Sequence, residues 1–242
     1  FETDRIPDSW WPLLQGYDEI WVLCEHNRRS FIRGGVAPEK LRVVPAFIDT
    51  EVFCPDGPRL ATPRELLGRQ VFLSVFDWQW RKGWDVLLSA YVQEFRPDEQ
   101  TGLLLKITRT NSIPMEAVRE QADRVLRAVG QSLADRPDIV LWDAVLSQSD
   151  MASLYRSVFA FVLASRGEGW GRPYMEAMAT GTPVVASNRT SIPEVAGDAA
   201  VLVDPDDEGG MSDAMRRVLC DPAWRAELVR CGIKRASEFS WE

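Results

Sequence analysis

Residues 159–186 read FAFVLASRGEGWGRPYMEAMATGTPVVA, in which two apolar runs flank a glycine-rich loop and a helical segment. The apolar runs at 159–163 and 183–186 predict strands. Pro173 suits the first turn of the intervening helix, predicted at 173–180, and Gly181 suits the position just after its end. Continuously apolar strands joined through a helix are typical of a parallel sheet with helices on both faces.

The same alternation extends in both directions along the chain. Further strands are predicted at 71–75, 103–107, 139–142 and 200–203, and helices at 84–95, 115–129, 151–157, 207–219 and 222–238. Two shorter strands at 18–24 and 41–44 enclose a predicted helix at 28–33. The pattern predicts an α/β fold with a Rossmann-like parallel sheet. Ligands of such sheets bind beyond the carboxyl ends of the strands, so the chemistry is expected in the loops after Val75, Ile107, Trp142, Leu163 and Ala186.

Composition excludes several classes of protein. The 242 residues carry 28 Lys+Arg and 36 Asp+Glu, a net charge of −8, and 45% of them are apolar. This is ordinary globular composition, and its acidic balance argues against a general nucleic-acid surface. No apolar run approaches the roughly 18 residues of a membrane span, and no signal-peptide pattern stands at the start. The four cysteines form no CxxC pair, so we expect a cytoplasmic protein without a zinc site or a disulfide framework.

The loop between the two apolar runs has the features of a phosphate site. Gly167, Gly169 and Gly171 let the backbone approach a ligand, and the helix beginning at Pro173 points unpaired N–H groups at that ligand. Glu168 and Glu176 can face one cleft. The glycine spacing is not a dinucleotide fingerprint, so an ordinary loop with surface glutamates is also compatible with it.

Glu168 and Glu176, with seven residues between them inside EGWGRPYMEAMA, resemble the EX7E motif of the retaining GT-B glycosyltransferases. More specifically, they resemble the GT4 family, the glycosyl transferases group 1. The resemblance continues through residues 38–55, 80–88, 181–186 and 191–195, so that it covers in effect the whole chain.

The resemblance implies a division of the chain into domains. Residues 1–46 would be a remnant of an N-terminal acceptor domain, and the proline-rich stretch 47–66 would be an interdomain linker. Residues 67–242 would form the C-terminal domain that binds the nucleotide-sugar donor, truncated at its end. We therefore expect a fragment that holds the donor half of a site and little of the acceptor half.

The family pattern also implies catalytic residues. Arg81 and Lys82 occupy the position of the basic pair that binds the donor diphosphate, whereas without a ligand they would be a solvated helix start. We expect Lys82 to be an exposed residue of the cleft. Glu168 would lie near the donor sugar and stabilise positive charge as the glycosidic bond breaks. Relatives carry a further Arg close to the position of Phe76, so one phosphate contact is either missing here or supplied by another group.

The remaining donor contacts are implied in the same way. Glu176 would accept hydrogen bonds from the ribose hydroxyls, which suits a carboxylate. The glycine loop and helix start would contact the sugar or the phosphates through Gly169, Trp170, Gly171, Arg172 and Pro173. The base would lie near Asp143 and Ala144, in the loop after the strand at 139–142.

The implied activity is transfer of a sugar from a nucleotide-diphosphate sugar to an acceptor hydroxyl, with retention of configuration and without a metal or other cofactor. The acceptor would be a glycan, a lipid or a small molecule, and the N-terminal domain could bring the protein into peripheral contact with a membrane. Asp204, Asp206 and Asp207 are interpreted as turn and helix-cap residues, not as metal ligands. His26, the only histidine, is expected to cap a helix or line a cleft.

Two other classes remain as alternatives. One is a non-catalytic nucleotide- or glycan-binding module derived from such a transferase, for which Phe76 is the argument. The other is a sugar-nucleotide epimerase of similar fold, which the EX7E pattern with Arg81 and Lys82 disfavours.

Overall fold

The computed structural model describes residues 2–241 and contains two parallel sheets. The smaller sheet pairs β1 (Ile20–Val22) with β2 (Leu41–Val43), and two helices accompany it, α1 (Trp11–Leu14) and α2 (Glu25–Arg33). These elements enclose a small core, which consists of Ile6, Val22, Phe31, Val36 and Leu41. Phe1 and Glu242, the end residues of the predicted domains, lie outside the described residues.

The larger sheet has six strands. They are β3 (Gln70–Asp77), β4 (Thr101–Thr108), β5 (Ile139–Trp142), β6 (Ala160–Leu163), β7 (Val184–Ser187) and β8 (Val201–Val203). The helices that accompany them are α3 (Trp84–Glu94), α4 (Met115–Ala128), α5 (Gln148–Ser157), α6 (Arg172–Ala179), α7 (Ile192–Ala196), α8 (Glu208–Cys220) and α9 (Pro222–Ser237).

Both faces of the larger sheet are covered. Successive side chains of a strand point to opposite faces, and residues 101–107 of β4 and all four residues of β6 and of β7 are buried. This is why the strands read as continuous apolar runs in the sequence. The predicted α/β fold with a parallel, Rossmann-like sheet is confirmed.

The strand order places a topological switch in the middle of the larger sheet. All neighbours are parallel in the order β5-β4-β3-β6-β7-β8, so the chain runs outward from β3 to one edge and then from β6 to the other. The loops after β3 and β6 consequently leave the sheet in opposite directions and open a crevice between them. Arg81 and Lys82 follow β3, and the glycine-rich loop follows β6.

The small sheet's unit contacts the larger one through the start of α2. The carboxylate of Glu194, in α7, accepts hydrogen bonds from the backbone N–H groups of Glu25, at 2.7 Å, and His26, at 3.1 Å. The thiol of Cys24 caps the same helix by accepting from the N–H of Asn27. The expected cap therefore comes from Cys24 and Glu194, and the buried His26 ring is not the capping group.

Two further expectations concern the acidic run and membrane contact. Asp207 caps α8 by accepting from the N–H of Gly210, and Asp204 accepts from the N–H of Asp206, which confirms turn and cap roles. In the part of the chain that the structure describes, every helix is too short or too polar to cross a membrane.

Candidate functional site at the switch between β3 and β6

The loops after β3 and β6 are joined by short backbone contacts. The N–H of Arg166 donates to the carbonyl of Arg81 at 2.7 Å, and the Ser165 hydroxyl donates to the same carbonyl at 3.2 Å. Gly83, with φ of +63°, makes this approach possible, because a Cβ at that position would overlap the carbonyl oxygen of Ala164. The sequence therefore needs glycine at 83 to bring Arg81 and Lys82 to the glycine-rich loop.

Lys82 and Glu168 form a buried ion pair in this crevice. The Lys82 Nζ lies 2.6 Å from the Glu168 Oε1, and the two residues are only 8% and 6% exposed. The expectation that Lys82 is an exposed cleft residue is therefore wrong. The reason is the tight packing of the loop at Gly83 against Ala164, the residue that follows β6, while Glu168 supplies the opposite charge.

Arg81 adds a second cation to the same carboxylate. Its Nη1 donates to the carbonyl of Gly167 at 2.9 Å and lies 3.5 Å from the Glu168 Oε2. Its Nη2 pairs with Glu2 at 2.8 Å, and about a third of the side chain stays exposed. Arg81 is thus the part of the cluster that an incoming anion can reach.

The loop after β7 holds Glu168 in place from the other side. The Glu168 N–H donates to the Thr190 hydroxyl at 2.9 Å, and the Ser191 hydroxyl donates to the Glu168 carbonyl at 2.8 Å. Thr190 adopts a left-handed backbone conformation, with φ of +56°, to make this contact. Glu168 is therefore oriented by its backbone as well as by its two cationic partners.

Glu176 lies on α6 with a separate set of partners. Its Oε2 accepts a hydrogen bond from the Tyr155 hydroxyl at 3.0 Å, and its Oε1 lies 3.8 Å from the Nε of Arg172. Burial raises the pKa of Glu176, which the Tyr155 hydrogen bond and the Arg172 charge partly oppose. No hydrogen bond joins Glu176 to the Lys82–Glu168 pair within residues 2–241.

The start of α6 presents backbone rather than side chains to the crevice. Gly171 caps the helix with φ of +93°, and Pro173 stands in its first turn. The Trp170 side chain is buried, its indole N–H directed at the Met175 sulfur and its ring edge-on to Phe239. Trp170 can therefore contact a ligand only through its main chain, whereas Arg172 is largely exposed.

The predicted base loop lines a groove of about 630 Å³ at the carboxyl ends of β4 and β5. Asp143 and Ala144 line it together with Lys106 and Arg109. Arg109 Nη2 lies 2.6 Å from the Asp143 carboxylate and so fixes its orientation. The groove opens at the same edge of the sheet as the crevice, since all six strands are parallel.

Phe76, near which the family resemblance implies an arginine, has an aromatic role here. It is buried and stacks on Trp78, which in turn stacks on Trp84 at 4.3 Å. Along the chain, Trp78 and Trp84 of this stack stand on either side of Arg81 and Lys82.

Sequence reasoning missed several residues that shape the site. They are Tyr155, Thr190, Ser191, Lys106 and Arg109. A signal for Lys106 was present, since it is the one charged residue in the apolar run 103–107. Tyr155 carries no such signal, because its partner is set by the packing of α5 against α6.

The cluster can bind an anion and stabilise charge. Two cations, a helix N-terminus and an oriented carboxylate meet where α/β sheets bind their ligands. An anion such as a diphosphate placed there would meet positive charge from Arg81 and Lys82.

Comparison with known proteins gives consistent matches. The sequence profile of the family described as glycosyl transferases group 1 matches residues 69–221. The O-antigen chain mannosyltransferase B of Escherichia coli is 44% identical over 93 residues, which are 38% of this chain and 24% of that protein. The MMP alpha-(1->4)-mannosyltransferase of Mycolicibacterium hassiacum is 33% identical over 211 residues, covering 86% of this chain and 46% of that protein.

The fold also matches solved structures. HepE of Anabaena, crystallised with UDP and glucose, superimposes with a TM-score of 0.77 at 16% identity, over 97% of this chain and 64% of HepE. The likeness agrees with the predicted GT-B-type fold, which is confirmed. The chain spans half or less of the length of the curated relatives described above.

Proposed function

This chain belongs to the family of the glycosyl transferases group 1, and from that premise we propose that it binds the donor of a nucleotide-sugar-dependent glycosyltransferase. The donor would be a nucleotide-diphosphate sugar, and the reaction would move its sugar to an acceptor hydroxyl of a glycan, a lipid or a small molecule. The two mannosyltransferases among the relatives favour a hexose as the transferred sugar.

The observation that carries the proposal is the cluster of Arg81, Lys82 and Glu168 at the switch between β3 and β6. When a diphosphate enters, Arg81 can turn from Glu2 to the phosphate oxygens, because its side chain is partly exposed. Lys82 can share its ammonium protons between Glu168 and the phosphate, since Lys has three donors. The N-terminus of α6 adds backbone N–H groups around Gly171.

These groups would act on the transition state. As the glycosidic bond breaks, negative charge grows on the leaving diphosphate and positive charge on the sugar ring. Arg81, Lys82 and the helix N-terminus stabilise the first, and the Glu168 carboxylate stabilises the second. The chain itself supplies the charge that a metal ion would otherwise provide, so we propose that transfer is metal-independent.

Retention of configuration is the finer part of the proposal. Its support is the resemblance of Glu168 and Glu176 to the EX7E motif of retaining enzymes. The test is the anomeric configuration of the product. NMR measures it during the first turnovers of a preparation that contains the complete transferase. An inverted product would contradict retention without affecting donor binding.

Donor binding is tested through Glu176, which we propose accepts hydrogen bonds from the ribose hydroxyls. Glu176→Gln keeps the volume of the side chain but removes the charged acceptor, so the affinity for a nucleoside diphosphate should fall about 10- to 150-fold. Isothermal titration calorimetry with UDP, GDP and ADP measures the loss, and thermal melting checks that the variant is folded.

Glu120→Gln is the matched control, because Glu120 is exposed on α4, away from the crevice. Its affinity should equal that of the unmodified chain. Equal affinity in the Glu176→Gln variant would remove the ribose assignment, and no binding of any nucleoside diphosphate would overturn the proposed function.

A further inference from the structure

A second pocket, of about 320 Å³, lies at the amino ends of β6 and β7. Phe159, which leads into β6, and Pro183, which leads into β7, are among the residues that line it. The crevice lies beyond the carboxyl ends of the same parallel strands. Because β6 has four residues, roughly 13 Å of strand separates the two sites. The pocket is therefore distinct from the candidate donor site.

Three arginines line this pocket, and no acidic residue of the described chain does. They are Arg59, Arg156 and Arg225. Among residues 2–241, no carboxylate lies within 4.0 Å of any of the three guanidinium groups. Like charges gathered around one pocket repel one another, and in a chain with a net charge of −8 they need an explanation. A bound anion would supply one.

Arg156 holds its charge at a fixed place. It is only 7% exposed, and its guanidinium donates to the carbonyls of Pro58, at 2.9 Å, and Cys54, at 3.0 Å. These carbonyls satisfy its hydrogen bonds but leave its positive charge uncompensated. Since water screens a buried charge weakly, Arg156 makes the pocket attractive to an anion.

Arg59 and Arg225 are each anchored through Nη1 alone. The Arg59 Nη1 donates to the main-chain carbonyl of Arg156. The Arg225 Nη1 donates to the carbonyl of Val218 at 2.8 Å, and the guanidinium lies 4.6 Å from the centre of the Phe159 ring. The Nε and Nη2 groups of both arginines have no hydrogen-bond partner among residues 2–241.

The free Nε–H and Nη2–H of an arginine form a planar fork that can bind two oxygens of one anion. Arg59 and Arg225 therefore leave two such forks open, while their anchored Nη1 groups limit how far the side chains can move. Pre-anchored donors lose less conformational entropy when a ligand binds.

The charge of the pocket favours one class of anion. Guanidinium groups match both carboxylates and phosphates in shape. A carboxylate would balance one of the three positive charges, whereas a phosphomonoester carries a charge of about −1.5 to −2 at pH 7 and offers three oxygens to the two forks. The volume is at the lower end of the usual range for small-molecule sites, about 300–1,000 Å³.

We infer that this pocket binds the phosphate group of a small phosphomonoester through the forks of Arg59 and Arg225, with the charge of Arg156 behind them. The inference does not rest on the proposed function, because none of these residues belongs to the crevice.

The test is isothermal titration calorimetry of the 242-residue chain with glucose 6-phosphate, inorganic phosphate and glucuronate. Glucose 6-phosphate should bind at least about 10-fold more tightly than the carboxylate glucuronate. Arg59→Gln and Arg225→Gln should each weaken glucose 6-phosphate about 10-fold or more, because each removes charged donors to the phosphate. Arg225→Lys keeps the charge but loses the fork, so its affinity should lie between those of Arg225→Gln and the unmodified chain.

Two further variants locate the bound phosphate. Arg119→Gln is the matched control, since Arg119 is exposed on α4 and does not line the pocket. Arg81→Gln removes a cation of the crevice instead. Both should bind glucose 6-phosphate as the unmodified chain does.

Thermal melting separates binding from folding. Arg59 is exposed and makes one hydrogen bond, so Arg59→Gln should melt within about 2 °C of the unmodified chain. Glucose 6-phosphate should raise the melting temperature of the unmodified chain and have a much smaller effect on Arg59→Gln.

Two sources of the phosphate are distinguished by the same titrations. Tighter binding of glucose 6-phosphate than of inorganic phosphate would support a phosphorylated small molecule, and equal affinities would support the phosphate group alone. No binding of either would overturn the inference, as would equal affinities for glucuronate and glucose 6-phosphate. A loss in Arg81→Gln without a loss in Arg59→Gln would place the phosphate in the crevice. That result would overturn the inference and leave the proposed function intact.

Discussion

At the scale of single residues, the Lys82–Glu168 pair connects stability to function. A buried ion pair contributes little net stability, but removal of one partner leaves the other buried and uncompensated, which costs about 3–5 kcal/mol. Glu168 keeps a weaker partner in Arg81 at 3.5 Å, so the lower end of that range applies to loss of Lys82. The same pair would be the one that a diphosphate rearranges.

A double-mutant cycle separates the two roles. Lys82→Met should lower the free energy of unfolding by about 3 kcal/mol, or the melting temperature by about 6–12 °C, because Glu168 loses its closest cation. The double variant Lys82→Met/Glu168→Gln should recover most of this stability and still bind a nucleoside diphosphate weakly. Thermal melting and calorimetry measure both quantities. If the stability losses of the single variants Lys82→Met and Glu168→Gln add up in the double variant, the two residues are not coupled.

At the scale of elements, the approach of the loop after β3 to the end of β6 depends on Gly83. Its positive φ continues the turn at Trp80–Lys82 into α3, and its missing side chain admits the Ala164 carbonyl. Any larger residue must push the two loops apart and with them the cationic pair and Glu168.

Gly83→Ala should therefore destabilise the chain more than its backbone conformation alone explains. Gly130→Ala is the matched control, since Gly130 has φ of +75° but open space around its Cβ position. Gly130→Ala should lower the free energy of unfolding by about 1–2 kcal/mol. Gly83→Ala should lower it by roughly a further 1–3 kcal/mol, because its Cβ would overlap the Ala164 carbonyl. Urea unfolding curves give both values. Equal costs would mean that the contact with Ala164 yields easily.

Some of the elements could be predicted from the sequence and others could not. The strands at 139–142 and 160–163 were predictable nearly to the residue, because both are apolar throughout, as is typical of parallel sheets with helices on both faces. The short helix α7 was not predicted, since five residues with Pro193 among them carry no helical period. The expectation that the loops after Val75 and Leu163 carry the site followed from parallel strands ending at one edge. The burial of Lys82 did not follow, because loop packing between residues 86 positions apart decides it.

At the scale of the whole molecule, Glu194 joins the unit of the small sheet to the larger one. It accepts from two backbone N–H groups at the start of α2, and Arg235 holds the Glu194 carbonyl at 2.6 Å. A carboxylate at a helix N-terminus is favoured by the helix dipole as well as by the hydrogen bonds. The contact therefore acts as a cap supplied from across the boundary between the units.

Glu194→Ala should loosen that boundary without unfolding either unit, because the Arg235 contact uses the backbone of α7. Loss of a helix cap costs about 0.5–2 kcal/mol, so hydrogen exchange at the N–H groups of Glu25 and His26 should quicken about 2- to 30-fold. NMR-detected exchange measures this, with Glu120→Ala as the control. Unchanged exchange would show that these groups are protected by other contacts.

The wide separation of the crevice's residues along the chain also sets the order in which the crevice can form during synthesis. Arg81 and Lys82 leave the ribosome 86 residues or more before Glu168. Because the chain is synthesised at about 5–20 residues per second, roughly 4–17 s pass between the synthesis of these two cations and that of Glu168. Until β6 pairs with β3, the Lys82 ammonium has no carboxylate partner from the loop after β6, so the crevice forms only after β3, β4 and β5 have been synthesised.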